Sequence, residues 1–156
     1  MASSLGVREV PERLRTIYTK YLKRYAAISV REESAVSLVQ ALTGKSPMQL
    51  LDPTLLLTAK EWSEITSDES QREPYILIYG GVALPANTME SVALEIQKQT
   101  GWDIIKLYGK AYHRFSRRVH HVFDAGPLEY LGLIKNASVV LANSFHGTVF
   151  SINFGV

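Results

Sequence analysis

Apolar residues recur at three- and four-residue steps at Val10, Leu14, Ile17, Tyr21, Leu22 and Tyr25, the spacing of one helical face, with Pro11 suited to the first turn. Ala26 to Val30 is a short apolar run that fits a buried strand, and a second helical stretch follows from about Glu32 to Leu42 and stops at Gly44. Gln49 to Leu51 reads as another short strand, broken by Asp52-Pro53, because proline removes a ladder donor and restricts the residue before it. Thr58 and Glu61 have the spacing of a capping box for a short helix through Trp62 and Ile65. From Thr66 to Glu73 there is no large apolar side chain and Pro74 follows, which predicts a linker.

Beyond the linker the pattern predicts a strand at Tyr75–Tyr79. A helix from about Asn87 carries Met89, Val92, Ala93 and Ile96 on one face, and a strand follows from Asp103 to Tyr108. A polar, basic loop of about fifteen residues comes next. Gly126-Pro127 opens a helix with Leu128, Leu131 and Ile134, Ala137–Ala142 is a strand, and Phe145 starts a last helix. Repeated strand–helix alternation with nearly continuous apolar strands predicts an α/β fold with a parallel sheet covered on both faces. Phe150 to Val156 stays helix-like where the alternation would next demand a strand. No internal repeat or low-complexity tract is visible.

With 156 residues, 46% of them hydrophobic, the chain can bury a core without disulfides or a structural metal. The absence of cysteine excludes thiol nucleophiles, Cys-based zinc sites and iron–sulfur clusters. Lys and Arg number 17 against 15 Asp and Glu, which leaves no electrostatic footprint for nucleic acid beyond a local cluster at Arg114, Arg117 and Arg118, a pattern commoner in solvated loops. The longest nearly apolar run, Tyr75 to Leu84, falls short of the roughly 18–20 residues that span a bilayer. Met1 to Val7 is too short for a signal peptide, so a cytoplasmic protein without a membrane span is expected.

In open parallel sheets ligands bind beyond the carboxyl ends of the strands, so the residues just after each strand matter most. Arg31 closes one strand and could offer a planar fork to a carboxylate or phosphate, or simply pair with Glu32, Glu33 or a nearby loop. In Asn143-Ser-Phe-His-Gly-Thr148 a polar turn leads into a helix start that favours anions. Gly147 would let a ligand approach the backbone there, and His146 could donate to phosphate or act as acid or base. The same residues equally suit a helix capped by Ser144 with His146 facing solvent. Asp52 and Asp124 could serve acid–base work or hold sugar hydroxyls, or act as turn and N-cap residues.

Other matches fail on spacing. Thr43-Gly-Lys-Ser46 has Val39 where a P-loop needs its first glycine, and it ends a helix instead of starting one. Gly80-Gly81 lacks a dinucleotide fingerprint and reads as a tight turn. His113, His120 and His121 sit among arginines without an acidic partner at ligand spacing, so no metal site is expected. Asn136-Ala-Ser138 is a chance glycosylation sequon at a helix-to-strand junction.

Ala2-Ser-Ser-Leu-Gly6, Ala27-Ile-Ser-Val-Arg-Glu-Glu-Ser34, Leu51-Asp-Pro-Thr-Leu-Leu-Leu57, Val122-Phe-Asp-Ala-Gly-Pro127 and Asn143-Ser-Phe-His-Gly-Thr148, in this order, resemble the polysaccharide pyruvyl transferase family. The resemblance runs over residues 1–156 but lacks the family's opening strand, its glycine-rich first loop and its terminal strand. It implies an incomplete, glycosyltransferase-B-like pair of Rossmann-like domains. Residues 1–57 would be the tail of the first, 58–73 a linker, and 74–156 most of the second. Such enzymes move the enolpyruvyl unit of phosphoenolpyruvate onto two sugar hydroxyls of a cell-wall or capsular polysaccharide, or of a lipid-linked precursor, as a cyclic ketal. Phosphoenolpyruvate is the donor substrate and no cofactor is implied.

Carried over by motif, Arg31 would grip phosphoenolpyruvate. His146, with the Gly147 and Thr148 amides and Ser144, would bind phosphate or supply a proton, and Asp52 and Asp124 join the substrate-binding set. A nucleotide-sugar glycosyltransferase using the Gly126-Pro127 turn and Glu129, or a non-catalytic α/β domain, is the competing expectation. The missing edges predict a fragment that lacks parts of its own fold and is inactive in isolation.

Overall fold

A computed structural model describes residues 3–67, 73–80, 86–107 and 119–156, and the chain divides into two units, Met1–Leu56 and Leu57–Val156. Residues 68–72 of the expected linker, Gly81, Tyr108, His113 and the Arg114/Arg117/Arg118 cluster lie outside the described residues.

In the first unit Pro11 stands at the N-cap of α1 (Glu12–Leu22), one place before the first turn. Leu14, Tyr18 and Leu22, four residues apart, pack with Val10 against Leu38 and Leu42. The expected face was wider than one neighbouring helix can cover, and Ile17, Tyr21 and Tyr25 stay exposed. Strand β1 (Ser29–Val30) pairs in parallel with β2 (Met48–Gln49), and Ser3 bridges Val30 on the other side. Between them α2 (Glu33–Thr43) buries Ala35, Leu38, Val39 and Leu42. It ends at Gly44, whose φ of 74° is the left-handed conformation that closes a helix. Lys45 donates its ammonium to the carbonyls of Lys23 and Tyr25 at the end of α1, so Thr43-Gly-Lys-Ser46 caps helices. A 3-10 turn, Pro53–Leu55, follows Asp52.

In the second unit α3 (Ala59–Ile65) carries the expected capping box between Thr58 and Glu61. It falls in the segment read as linker, yet Trp62 packs edge-on against Phe150 at 5.2 Å. The remaining elements are β3 (Tyr75–Tyr79), α4 (Ala86–Thr100), β4 (Asp103–Leu107), β5 (Val119–Val122), α5 (Pro127–Lys135), β6 (Val139–Ala142) and α6 (Phe145–Phe154). The four strands are parallel in the order β5-β4-β3-β6. Side chains alternate along β3: Ile76 and Ile78 face Ala93 and Met89 of α4, while Tyr75 and Leu77 face Leu131, Ile134 and Phe150 of α5 and α6.

Strand β5 sits inside the stretch expected to be a loop. Its sequence, Val-His-His-Val, hides the apolar alternation, because an edge strand here needs little more than Val119 buried. Val92 and Leu128, expected on buried helix faces, are exposed, since the sheet covers only a narrower stripe of each helix. The result is a mixed α/β structure with parallel sheets, consistent with a Rossmann-like fold. Counted from β3, the second unit has the strand order 3-2-1-4, the first four positions of the Rossmann order.

Candidate active site

Because β1 and β2 are parallel neighbours, the residues that leave their carboxyl ends are neighbours too. Arg31 follows Val30 directly, and Asp52 follows the Gln49 ladder position after Leu50 and Leu51. Arg31 Nη1 donates to Asp52 Oδ2, and Arg31 Nε lies 3.8 Å from Glu32 Oε1. The Arg31 side chain is 19% exposed and that of Asp52 5%, so the main partner is a buried carboxylate and not a surface Glu. Gln49 donates its side-chain amide to the Arg31 carbonyl at 3.1 Å.

Asp52 also caps the 3-10 turn, accepting from the Thr54 amide at 3.0 Å and the Thr54 hydroxyl at 2.7 Å. Burial alone would raise its pKa. The Thr54 hydrogen bonds and the Arg31 guanidinium outweigh that and hold it down at about 2. A carboxylate that stays ionised to such acidity is a poor proton carrier near neutral pH, so Asp52 positions Arg31 instead of titrating.

In the second unit the order β5-β4-β3-β6 reverses direction between β3 and β6, and a crevice opens beyond the carboxyl ends of strands at such a reversal. Gly80 leaves β3 there, and Asn143 and Ser144 leave β6. The Asn143 amide donates to the Tyr79 carbonyl at 3.4 Å, which extends the ladder one step past the strands. A methyl on Gly80 would stand 2.0 Å from Asn143 Oδ1, so glycine makes room for that side chain.

Ser144 is the N-cap of α6. Its hydroxyl accepts from the Gly147 amide at 3.4 Å, and its carbonyl accepts from the Thr148 amide and hydroxyl, each at 3.0 Å. The Gly147 and Thr148 amides expected to face a ligand are therefore used in starting the helix. Gly147 is small for packing: a methyl there would lie 2.7 Å from the Tyr79 ring and 3.1 Å from Ala142 Cβ. His146 is exposed, with its ring edge-on to Phe145 at 5.3 Å.

Asp124 is exposed in the turn after β5, and the N-cap of α5 is Gly126, so Asp124 does not cap that helix. Strands β5 and β6 are separated by β4 and β3, three strand spacings or roughly 14 Å, so the sheet does not bring Asp124 to His146. Glu129 folds back over Gly126, its Oε2 2.7 Å from where a methyl would be. His121 stacks on Phe123 at 5.7 Å, and among the described residues no group of three or more His, Asp or Glu could hold a metal ion.

Sequence reasoning set Gly80 aside as part of a tight turn and took Asn143 only as the start of the polar turn before α6, without bringing the two together. Only the strand order, in which β3 pairs with both β4 and β6, marks the β3/β6 junction as special. Among the described residues no helix is long and apolar enough to cross a membrane. No curated protein matches the chain. The pattern of the polysaccharide pyruvyl transferase family does match, over residues 1–156, and the chain therefore belongs to that transferase family.

Proposed function

We propose that this chain takes part in transfer of the enolpyruvyl unit of phosphoenolpyruvate to two hydroxyls of a sugar, in a cell-surface polysaccharide or its lipid-linked precursor. A proton adds to the methylene carbon, both sugar oxygens bond to the adjacent carbon, and phosphate leaves. Of the two hydroxyl protons, one replaces the proton taken up by carbon and the other leaves with phosphate, so donor and diol give ketal and inorganic phosphate. The reaction needs a cation for the donor's phosphate and carboxylate, an acid for carbon and a base for the hydroxyls.

One observation carries the reading within a family already established: Arg31 is an arginine held by a buried carboxylate at the carboxyl end of a parallel strand. A guanidinium so fixed loses little freedom on gripping an anion, and its planar fork suits carboxylate and phosphate alike. Arg31 binds the donor, and Asp52 holds Arg31. In the second unit the exposed imidazole of His146, and not the engaged amides of Gly147 and Thr148, supplies the proton or contacts phosphate. The reading includes a glycosyltransferase-B-like plan of two Rossmann-like domains, and a cytoplasmic location where the donor is made.

The test is phosphoenolpyruvate-dependent phosphate release with candidate sugar acceptors by a full-length version beside this chain, together with the mass of the product. A ketal adds a carboxylate, and loss of donor binding in Arg31→Ala that Arg31→Lys only partly restores supports the role of the fork. A product that gains a sugar instead, or donor binding indifferent to Arg31, sinks the reading.

A further inference from the structure

Helix α1 turns the Leu14, Tyr18 and Leu22 stripe inward. Ile17 and Tyr21 are left 50% and 52% exposed, and Tyr25, just past the helix, is 60% exposed. At 100° per residue Arg13, Ile17, Lys20 and Tyr21 fall within about 100° of the helix circumference. Lys20 Nζ and Arg24 Cζ lie 6.0 and 5.9 Å from the centroid of the Tyr21 ring, so cations flank the aromatic side chain. Residues 11–25 carry five basic side chains and one acidic, a net +4 where the whole chain has +2. The charge is therefore concentrated on this segment.

The geometry points to the outward face of α1 as a docking surface for an anionic lipid bilayer. Single exposed apolar side chains are ordinary on a surface, but here three of them stand within one strongly basic segment. A nucleic-acid backbone would engage the cations but offer Ile17 nothing. A bilayer with anionic headgroups satisfies both: Arg13, Lys20 and Arg24 meet headgroup phosphates, while Ile17, Tyr21 and Tyr25 enter the boundary between headgroups and acyl chains, tyrosine hydroxyls toward water. With so little apolar area the contact is peripheral, reversible and salt-sensitive.

Co-sedimentation of the chain with vesicles of phosphatidylglycerol and phosphatidylcholine, against phosphatidylcholine alone, tests this without any pyruvyl transfer, so its outcome is independent of the reaction proposed above. The expected result is binding to the anionic vesicles only, weakened about tenfold or more by the pair Lys20→Glu and Arg24→Glu. The pair Ile17→Ser and Tyr21→Ser weakens it as well, and far-ultraviolet circular dichroism of both variants stays unchanged. Equal binding to both vesicle types overturns the proposal. So does unaltered binding by the serine pair, or RNA displacing the chain from vesicles with sensitivity to the charge pair alone, which would make the face a site for polyanions.

Discussion

The Arg31 corner of the first unit and the β3/β6 junction of the second are both built where parallel strands end, yet the fold fixes different things in them. At the first, two opposite charges from neighbouring strands meet nearly out of water, and Thr54 supplies further hydrogen bonds to Asp52. At the second no ion pair is found among the described residues. Position is set by close approach, with Gly80 leaving room for Asn143 and Gly147 for the Tyr79 ring, while His146 remains exposed. The first unit pre-orders a charge and the second a shape. An anionic donor gains from the former because the guanidinium does not have to be immobilised on binding.

The sharpest way to break this contrast is Arg31→Ala. It leaves Asp52 buried with an uncompensated charge, which costs about 3 kcal/mol when a buried pair is broken. Hydrogen exchange should quicken at the amides of Val30 and Val39 and stay unchanged at Leu77 in β3. No change at Val30 would mean that the pair behaves as an ordinary surface contact.

The pH dependence comes next. The Asp52 carboxyl titrates at about 2 in the folded chain against an ordinary 3.8, so folding favours the charged form. Its contribution is complete above about pH 4 and is lost as pH falls from there through about 2, a loss of about 2 kcal/mol confined to the first unit. Acid titration of the same amide protections should show that limb, and Asp52→Asn should abolish it.

Much of this was legible in the order of residues. Tyr75–Tyr79, the Thr58–Glu61 box, the Gly44 stop and the Ser144 cap follow from local rules, because backbone hydrogen bonding and left-handed glycine need no distant partner. Strand β5 did not, since half of its residues are histidines on an edge strand. The switch point that singles out Gly80 and Asn143 was hidden for another reason: it depends on β6 pairing with β3 on the side away from β4, a long-range choice that no local pattern encodes. Arg31 was visible as a candidate, but its tie to Asp52 depends on the parallel register of two strands of two residues each, which no short-range pattern encodes. Gly147 was noticed as room for a ligand, whereas the room its missing side chain leaves for the Tyr79 ring is a contact made only in the folded sheet.

Gly147→Ala then probes the shape side of the contrast. The added methyl would lie 2.7 Å from a packed ring, an overpacking of about 2–3 kcal/mol, of which the better helix propensity of alanine returns about 1. A net loss of about 1–2 kcal/mol in the second unit, read from exchange at Leu77 and Leu133, is expected. A stabilised variant would show that the ring moves freely and that the junction is not fixed by packing.

The smallest expected effect on stability belongs to His146→Ala, and it separates the two sites most cleanly. The imidazole is exposed, and the bonds from Gly147 and Thr148 to Ser144 do not involve it, so thermal unfolding should shift by less than about 0.5 kcal/mol. Under the proposed chemistry, phosphate release from phosphoenolpyruvate by a full-length version carrying the same change should nevertheless fall by about a hundredfold or more, the ordinary contribution of a positioned acid or base. Arg31→Ala would lose stability and activity together, whereas His146→Ala would lose activity alone, because in the first unit one interaction both holds the fold and presents the charge. If His146→Ala melts early, the imidazole is part of the packing; if it turns over normally, the second unit contributes shape without chemistry.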